Sequence, residues 1–251
     1  MKNIEKINGI FGYKVKIPNF NFENDFEKYK QYFFDFIDNS NMIEGIFIDS
    51  CETISEGEPL PELAPESADH YKSLEYMLKN YNKHDLTFDN HNKIHQLLMK
   101  SFLKNAGGYR KHKCWIGRKG CPYFGQIPNL MKDYIKKVKE LEKKDKCARI
   151  SIFDLHALFE IIHPRTDGNG REGRIAFNWL NLKYRNEFYV FLYENVQNYY
   201  KFLESFHEKF RQKNPNIKFY KNFTKEEYKK LKQDQEIHRF ILMNEKIKLK
   251  K

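Results

Sequence analysis

One twelve-residue stretch, 163–174, concentrates side chains that could bind a phosphate and move a proton. Its order is H-P-R-T-D-G-N-G-R-E-G-R. Gly168 and Gly170 tolerate positive φ, so consecutive backbone N–H groups there could point at one anion. A helix that began at this turn would add the positive end of its dipole. The stretch therefore predicts a phosphate site at the junction of two helices.

The spacing gives each polar side chain an expected role. Asn169 could donate to a phosphate oxygen, and Arg171 and Arg174, three residues apart, would share one side of the emerging helix and hold further phosphates. Asp167 offers the hard oxygen ligand that Mg²⁺ uses beside nucleotide phosphates. His163 stands where it could take a proton near that anion. Each residue alone has an ordinary structural explanation, but their joint order predicts Mg²⁺-nucleotide binding with a general base.

Apolar periodicity predicts that mostly helices position this stretch. Ser67, Thr87 and a Ser151–Asp154 capping box are the expected helix starts, and His163-Pro164 is an expected stop. The helices are predicted over about 21–38, 67–80, 87–106, 127–144, 151–162, from the glycine-rich turn to 184, and 193–210. Residues 109–127 contain the one convincing strand signal, a β-hairpin around a G-R-K-G turn.

Composition excludes several classes of protein. With 40% hydrophobic and 16% aromatic residues, the chain is too rich in large apolar side chains to be disordered. No apolar stretch is long enough to cross a bilayer and no secretory signal opens the chain, so we expect a cytoplasmic protein with no membrane partner. The four cysteines form no C-x-x-C pair, which predicts reduced thiols rather than a metal or disulfide framework.

The net charge of +11 suggests nucleic acid at first, but its distribution does not favour it. Residues 41–70 carry acids and no Lys or Arg, while the excess of bases lies in 101–150 and 201–251. The basic C-terminal stretch mixes Lys, Glu and apolar residues at helical spacing. It therefore predicts a solvated amphipathic helix, and a nucleic-acid module ranks third among the functions considered.

The stretch 163–174 resembles the signature of the Fic family, H-P-F-x-D/E-G-N-G-R-x-x-R. Arg165 stands where the family usually has a phenylalanine that anchors the loop, so we expect altered loop rigidity. The segments F-E-x-I before the motif, G-Y-R at 108–110 and W-I-G at 115–117 extend the resemblance over roughly residues 40–210. It implies a mainly α fold, a helical bundle with one β-hairpin flap. We expect one compact domain, with an N-terminal segment 1–65, a core 66–212 and a basic helical extension 213–251.

The resemblance also implies an activity, the transfer of AMP from ATP to a Tyr, Thr or Ser hydroxyl of a protein. His163 would be the base, Asp167 would hold Mg²⁺, and Arg171 and Arg174 would contact the β- and γ-phosphates. The remaining implied contacts are the α-phosphate at Gly168, Asn169 and Gly170, the adenosine pocket at Tyr199, Tyr200 and His207, and target docking on the flap at Cys114, Trp115, Ile116 and Gly117. Automodification and a homo-oligomer are left open.

Upstream, residues 40–45 (S-N-M-I-E-G) resemble the inhibitory motif (S/T)-x-x-x-E-(G/N) of Fic proteins. A short helix of about 39–46 would place Ser40 and Glu44 on one face. The Glu44 carboxylate would then pair bidentately with Arg174 and displace the γ-phosphate. The same carboxylate could position a water and let the site remove AMP.

Two alternatives to an autoinhibited adenylyltransferase remain open at this point. The first is another transfer, such as phosphorylation or the use of UTP. The second is a catalytically silent nucleotide-binding regulator, suggested by Arg165 and by His207, which falls where the family often has asparagine.

Overall fold

The computed structural model describes residues 6–8, 11–47, 54–55, 58–59, 65–143 and 149–230. The helices are α1 (Phe22–Ile43), α2 (Pro65–Asn80), α3 (Phe88–Leu98), α4 (Ile127–Lys143), α5 (Arg149–Ile162), α6 (Asn169–Arg185) and α7 (Val196–Lys213), and a further helical stretch covers 225–230. The strands are β1 (Lys6–Asn8), β2 (Gly12–Lys16), β3 (Ile54–Ser55), β4 (Glu58–Pro59), β5 (Trp115–Ile116), β6 (Lys119–Gly120) and β7 (Glu187–Phe191). The predicted mainly α fold is therefore confirmed.

Helix α6 lies at the centre of the bundle, in contact with α1, α2, α3, α5 and β7. Its residues from 171 to 182 are buried all round, and Trp179 is fully enclosed. A helix that is buried on every side holds its position through packing rather than through solvent-facing charges. The predicted phosphate turn opens this helix, so the turn is fixed to the most constrained element of the fold.

A three-stranded antiparallel sheet in the order β1-β2-β7 was missed by the sequence analysis, which found only the hairpin. All five residues of β7 are buried, and a short apolar run of this kind cannot be distinguished from a helix segment by periodicity. Gly12 pairs with Phe191, and a Cβ at Gly12 would lie 1.9 Å from the Val190 carbonyl oxygen. The sheet joins the start of the chain to the core.

Several helices begin or end at residues other than those predicted. Thr87 caps α3 as expected, accepting from the Asn90 N–H at 3.3 Å. Ser67 and Ser151 are not caps, because α2 begins at Pro65 and α5 at Arg149. Helix α3 ends at Leu98, short of the predicted 106.

The prediction of a separate inhibitory helix at about 39–46 was also wrong in its bounds. Residues 22–43 form one continuous helix, α1, and Glu44 is its C-terminal cap. The apolar face continues through Ser40, Asn41 and Ile43, all buried, so nothing interrupts the helix near residue 38. The predicted inhibitory residues therefore sit at the end of a long core helix.

The flap and the C-terminal segment form one unit. Residues 218–223 run beside β6, where the Tyr220 N–H donates to the Cys121 carbonyl at 3.0 Å and the Phe223 N–H to the Arg118 carbonyl at 2.9 Å. The helical extension predicted from 213 is thus not helical over 214–224, because these backbone groups pair with the flap. Residues 225–230 are helical, and 231–251 lie outside the described residues. Within the described part of the chain, no helix is long and apolar enough to cross a membrane.

Candidate active site

The loop between α5 and α6 is held by backbone contacts from both sides. Helix α5 ends at Ile162, and His163 adopts φ 48°, a left-handed conformation that costs a non-glycine residue about 1–2 kcal/mol. Arg110 fixes this turn, because its Nε donates to the His163 carbonyl at 2.7 Å and its N–H to the Pro164 carbonyl at 2.8 Å. Asn169 closes the loop through the Arg165 N–H (2.7 Å) and carbonyl (3.1 Å). Its amide is thus engaged in shaping the loop.

Arg165 anchors the loop in the core through charge rather than through an aromatic ring. It is fully buried, and its Nε and Nη2 donate to the two carboxylate oxygens of Glu172 at 2.9 and 3.0 Å. It also donates to Asn92 and to the Gly107 carbonyl, while His91 Nδ1 lies 2.9 Å from Glu172 Oε1. Burial would raise the pKa of Glu172, but Arg165 and His91 outweigh it and lower that pKa to about 2. Arg165, the residue expected to alter loop rigidity, therefore makes four side-chain hydrogen bonds to three partners.

The N-terminus of α6 has the features of an anion site. Gly168 caps it at φ 72°, and a Cβ there would lie 2.8 Å from Met99 Sδ. The Arg171 guanidinium is almost completely buried, yet its Nε and Nη1 have no hydrogen-bond partner among the described residues. The pKa of His70 is lowered, first by burial and then by the positive charges of Arg171 and Arg174. Unpaired buried donors of this kind fit a phosphate.

Part of this site is occupied by the end of α1. Arg174 Nη2 contacts Glu44 Oε1 at 2.8 Å and the Ser40 carbonyl at 2.9 Å, and its Nε donates to Ser40 Oγ at 2.8 Å. The expected bidentate Glu44–Arg174 pair is therefore replaced by one carboxylate contact and two contacts from Ser40. A Cβ at Gly170 would lie 2.2 Å from Glu44 Oε1, so the carboxylate lies directly against the first turn of α6.

His163 lies beside two acidic groups. Burial would lower its pKa, but contacts with Cys114 and Glu160 outweigh burial and raise it. Glu160 is buried, and burial raises its own pKa to about 7. A Cβ at Gly173 would lie 2.2 Å from Glu160 Oε1, so this glycine admits the carboxyl group against α6. The sequence analysis did not assign Glu160 a role, although it precedes the motif by three residues.

A cavity of about 580 Å³ joins the flap, the end of α1 and the first turn of α6. The predicted residues that line it are Glu44, Trp115, Ile116, Gly117, His163, Gly170, Arg174, Tyr199 and Tyr200. The predicted residues outside its lining are Ser40, Cys114, Asp167, Gly168, Asn169, Arg171 and His207. Other residues that line the cavity were not predicted from the sequence, among them Glu160, Gln197, Glu204 and Tyr228.

The three residues predicted for an adenosine pocket have different surroundings. The Tyr199 hydroxyl lies 2.8 Å from His156 Nε2 in the core, and Tyr200 is 41% exposed and donates to the Ile43 carbonyl at 3.1 Å. His207 is buried with its ring 5.5 Å from Phe219, and burial lowers its pKa to about 4. The contact of His207 with Phe219 was not predicted, because the segment that carries Phe219 was predicted to be helical.

Asp167 is suited to a metal that a nucleotide brings with it. Its side chain is 67% exposed, and its Oδ1 accepts from the Gly168 N–H at 2.6 Å. No group of three potential ligands lies together in the parts of the chain that the structure describes. One carboxylate completed by phosphate oxygens and water is the usual way for Mg²⁺ to be held.

The fold is that of solved Fic-domain structures. Residues 85–181 match the Fic/DOC family. A Fic-domain signalling protein of Bacteroides thetaiotaomicron superimposes with a TM-score of 0.58 at 20% identity, covering 74% of this chain and 76% of that one. Fic-1 of C. elegans (residues 134–508) gives a TM-score of 0.58 at 16% identity, covering 75% of this chain and 59% of that one.

The part of the chain that matches the Fic/DOC family runs from just before α3 into α6. A curated relative, the probable protein adenylyltransferase aq_aa38 of Aquifex aeolicus (strain VF5), is 38% identical over 104 residues. The alignment covers 37% of this chain and 31% of the relative, so the similarity spans about a third of that protein.

Proposed function

We propose that this protein is an autoinhibited adenylyltransferase that transfers AMP from ATP to a hydroxyl group of a protein. One observation carries the proposal. A buried cluster of phosphate-type donors at the start of α6 is partly occupied by a carboxylate of the same chain, Glu44 on Arg174. The name of the Aquifex relative supports the same reaction class.

The residues present fit a magnesium nucleotide. Arg171 brings two buried donors without partners in the described structure, and Arg174 would meet the terminal phosphate once Glu44 moves away. Asp167 would hold Mg²⁺, which neutralises phosphate charge when bound. Tyr199 and Tyr200 line the cavity on the side of α7 and would flank the nucleoside.

In the proposed reaction, His163 takes the proton of the acceptor hydroxyl. The hydroxyl oxygen bonds to the α-phosphorus, and the bond from that phosphorus to the bridging oxygen breaks, so pyrophosphate leaves with both of its electrons. The N–H groups of the first turn of α6 stabilise the charge on the α-phosphate. In the neutral state His163 can act as a base, whereas the contacts with Cys114 and Glu160 favour its protonated state. The base therefore becomes available only above its raised pKa.

We further propose that the target adds to the flap through β5. The outer side of β6 is already paired with residues 218–223, and the Gly120 N–H donates to Asn222 Oδ1 at 3.1 Å. The strand that carries Trp115 and Ile116 faces the cavity and is the remaining edge. An extended target segment would pair there through its main chain.

The brake acts through competition in this proposal. While Glu44 occupies Arg174, a bound ATP would have its phosphates misaligned for attack. The same carboxylate would orient a water that attacks the phosphorus of the protein–AMP bond, so that AMP leaves and the protein hydroxyl is restored. Incubating a modified target with the wild type measures this second activity, and unchanged modification would contradict it.

The test of the main proposal is incorporation of label from ATP carrying ³²P at the α position, with Mg²⁺ present. We expect Glu44→Gly to raise incorporation above that of the wild type. The variant Ser40→Ala, which removes one contact of Arg174, should fall between the two. Glu27→Gly, at an exposed acid on the same helix, is the matched control and should behave as the wild type. Adding His163→Ala to Glu44→Gly should lower incorporation by roughly 10²–10⁴, the usual effect of losing a general base.

The alternatives predict different products. Label from the γ position instead of the α position would indicate phosphorylation, and faster modification with UTP would indicate another nucleotide. Calorimetric binding of ATP by Glu44→Gly without any modified product would favour a silent regulator. Equal incorporation with and without His163 would contradict the assigned base.

A further inference from the structure

Two cysteines face each other at the base of the flap. The register pairs Trp115 with Gly120 and Ile116 with Lys119, which makes Cys114 and Cys121 the next opposite residues. The Cys121 N–H donates to the Cys114 carbonyl at 3.0 Å, and the two thiols lie close enough to shift each other's pKa. Opposite residues of antiparallel strands have Cα atoms about 4.5–5.5 Å apart, which is within the span of a disulfide. A bond between the two sulfurs therefore needs little movement of the backbone.

The third member of the group is His163, whose imidazole contacts the Cys114 thiol. Arg110 ties both sides together, because its Nε donates to the His163 carbonyl and its Nη2 donates to the carbonyl of Pro122 at 2.7 Å. Pro122 follows Cys121 directly. One buried guanidinium thus connects the backbone at His163 with the backbone next to Cys121.

The two thiols differ in reactivity. Cys114 is partly exposed, and its contact with Cys121, opposed by burial and assisted by His163 and Arg110, lowers its pKa to about 4. Cys121 is completely buried, and burial raises its pKa. A partly exposed thiolate beside a histidine and an arginine is the environment of a reactive cysteine, and a nearby second thiol can resolve its oxidised form.

We propose that Cys114 and Cys121 form a redox-active dithiol site, in which Cys114 reacts first with a peroxide and Cys121 then closes a disulfide. The Cys114 thiolate attacks one oxygen of hydrogen peroxide, the O–O bond breaks, and the departing hydroxide takes a proton from His163 to become water. The Cys121 sulfur then attacks the resulting sulfenic acid. The S–S bond forms, and the hydroxide released takes the Cys121 proton as a second water. Two thiols are oxidised and one peroxide is reduced.

This site shares a group with the transfer reaction, a consequence that rests on the proposed function. In the reduced protein the Cys114 thiolate helps to keep the proton on His163. The disulfide removes that negative charge from beside the imidazole and joins the two flap strands covalently. Cys114 would then be a positioning residue for the base, acting through His163.

The first test uses the full chain with Cys51→Ser and Cys147→Ser, so that only the pair remains. After treatment with hydrogen peroxide, peptide mapping without reductant should show the Cys114–Cys121 disulfide, reversible by dithiothreitol. With Cys121→Ser added, dimedone should trap a sulfenic acid on Cys114. With Cys114→Ser added instead, Cys121 should stay unlabelled. Equal labelling of both single cysteines, or no reaction at either, would overturn the proposal.

The second test measures the role of His163 through the alkylation rate of Cys114 by iodoacetamide at pH 7, followed by peptide mapping in the Cys51→Ser/Cys147→Ser variant, which keeps Cys121 beside Cys114. We expect His163→Gln to slow alkylation by about tenfold, because an unperturbed thiol is only a few per cent thiolate at this pH. His112→Gln, an exposed histidine two residues from Cys114, is the control and should leave the rate unchanged. An unchanged rate in His163→Gln would contradict the activation. Neither test uses a nucleotide, so failure here leaves the AMP-transfer proposal standing, and failure of the labelling experiment leaves this one standing.

Discussion

The buried Arg165 guanidinium holds the loop between α5 and α6 in place. Its two bonds to Glu172 and its bond to Asn92 connect the loop to α6 and α3, and the Arg165 and Glu172 side chains have no exposure to water. An ion pair of this kind repays the cost of its own burial only while both partners and their hydrogen bonds are present. The loop conformation that places His163 therefore depends on a pair of residues rather than on one.

We expect Arg165→Phe to destabilise the protein by about 3–5 kcal/mol, because it leaves the Glu172 carboxylate buried beside His91 alone. The double variant Arg165→Phe/Glu172→Gln should recover part of this loss, since the unpaired charge is gone. Urea unfolding at pH 7 measures both free energies. A single variant as stable as the wild type would show that the pair contributes nothing to the fold.

At the level of single residues, the motif made much of the site predictable and left some of it hidden. His163, Gly170 and Arg174 line the cavity that sequence reasoning expected, because their spacing follows from one loop and one helix turn. The partners of Arg165 were not predictable, since Asn92 and Gly107 come from a distant part of the chain. Contacts made across the core leave no local pattern in the sequence.

The flap depends on a segment that comes roughly a hundred residues later in the chain. Trp115 stacks on Phe223 with ring centroids 4.7 Å apart, and its Nε1 donates to the Lys221 carbonyl at 2.9 Å. A two-stranded hairpin is marginally stable by itself. Residues 218–223 supply the third strand-like partner, and this was missed because all of 213–251 was predicted to be a basic helical extension. The strands β2 and β7 escaped prediction for the related reason that strand pairing is not local.

We expect Phe223→Ala to loosen the flap while leaving the helical core intact. Removing the ring exposes the Trp115 face and weakens the register of 218–223, so amide hydrogen exchange over 115–121 should speed up. Exchange in α6 should stay unchanged. Phe102→Ala, at an exposed ring away from the flap, is the matched control. If amide protection of the flap in Phe223→Ala equals that of the wild type, the hairpin is stable without the Phe223 ring.

The protein as a whole buries several histidines in the neutral state, and this sets its response to acid. Burial lowers the pKa of His156 to about 3 and that of His207 to about 4. The unfolded chain binds protons at these side chains below about pH 6.5, so stability is lost as the pH falls from there towards the folded values. Glu160 acts in the opposite direction, since its raised pKa of about 7 makes it favour the folded state at low pH.

We expect the free energy of unfolding to fall between pH 7 and pH 5, and to fall less in His207→Gln. Without His207 the unfolded chain binds one proton fewer at pH 5. For a group that titrates near 6.5 when free, that proton lowers the free energy of unfolding by about 2 kcal/mol at pH 5. Urea unfolding at the two pH values measures the difference. His84→Gln, at an exposed histidine, is the control and should keep the wild-type slope. An equal slope in all three proteins would show that His207 titrates alike in both states.

The position of Glu44 at the end of α1 has a consequence for how the proposed brake could be regulated. The start of α1 is connected through β2 to β7, and its length packs in the core. The carboxylate is therefore supplied at a fixed effective concentration, which dilution of the protein cannot lower. Inhibition would be independent of how much protein is present and would respond to whatever competes for Arg174, above all to the level of ATP itself.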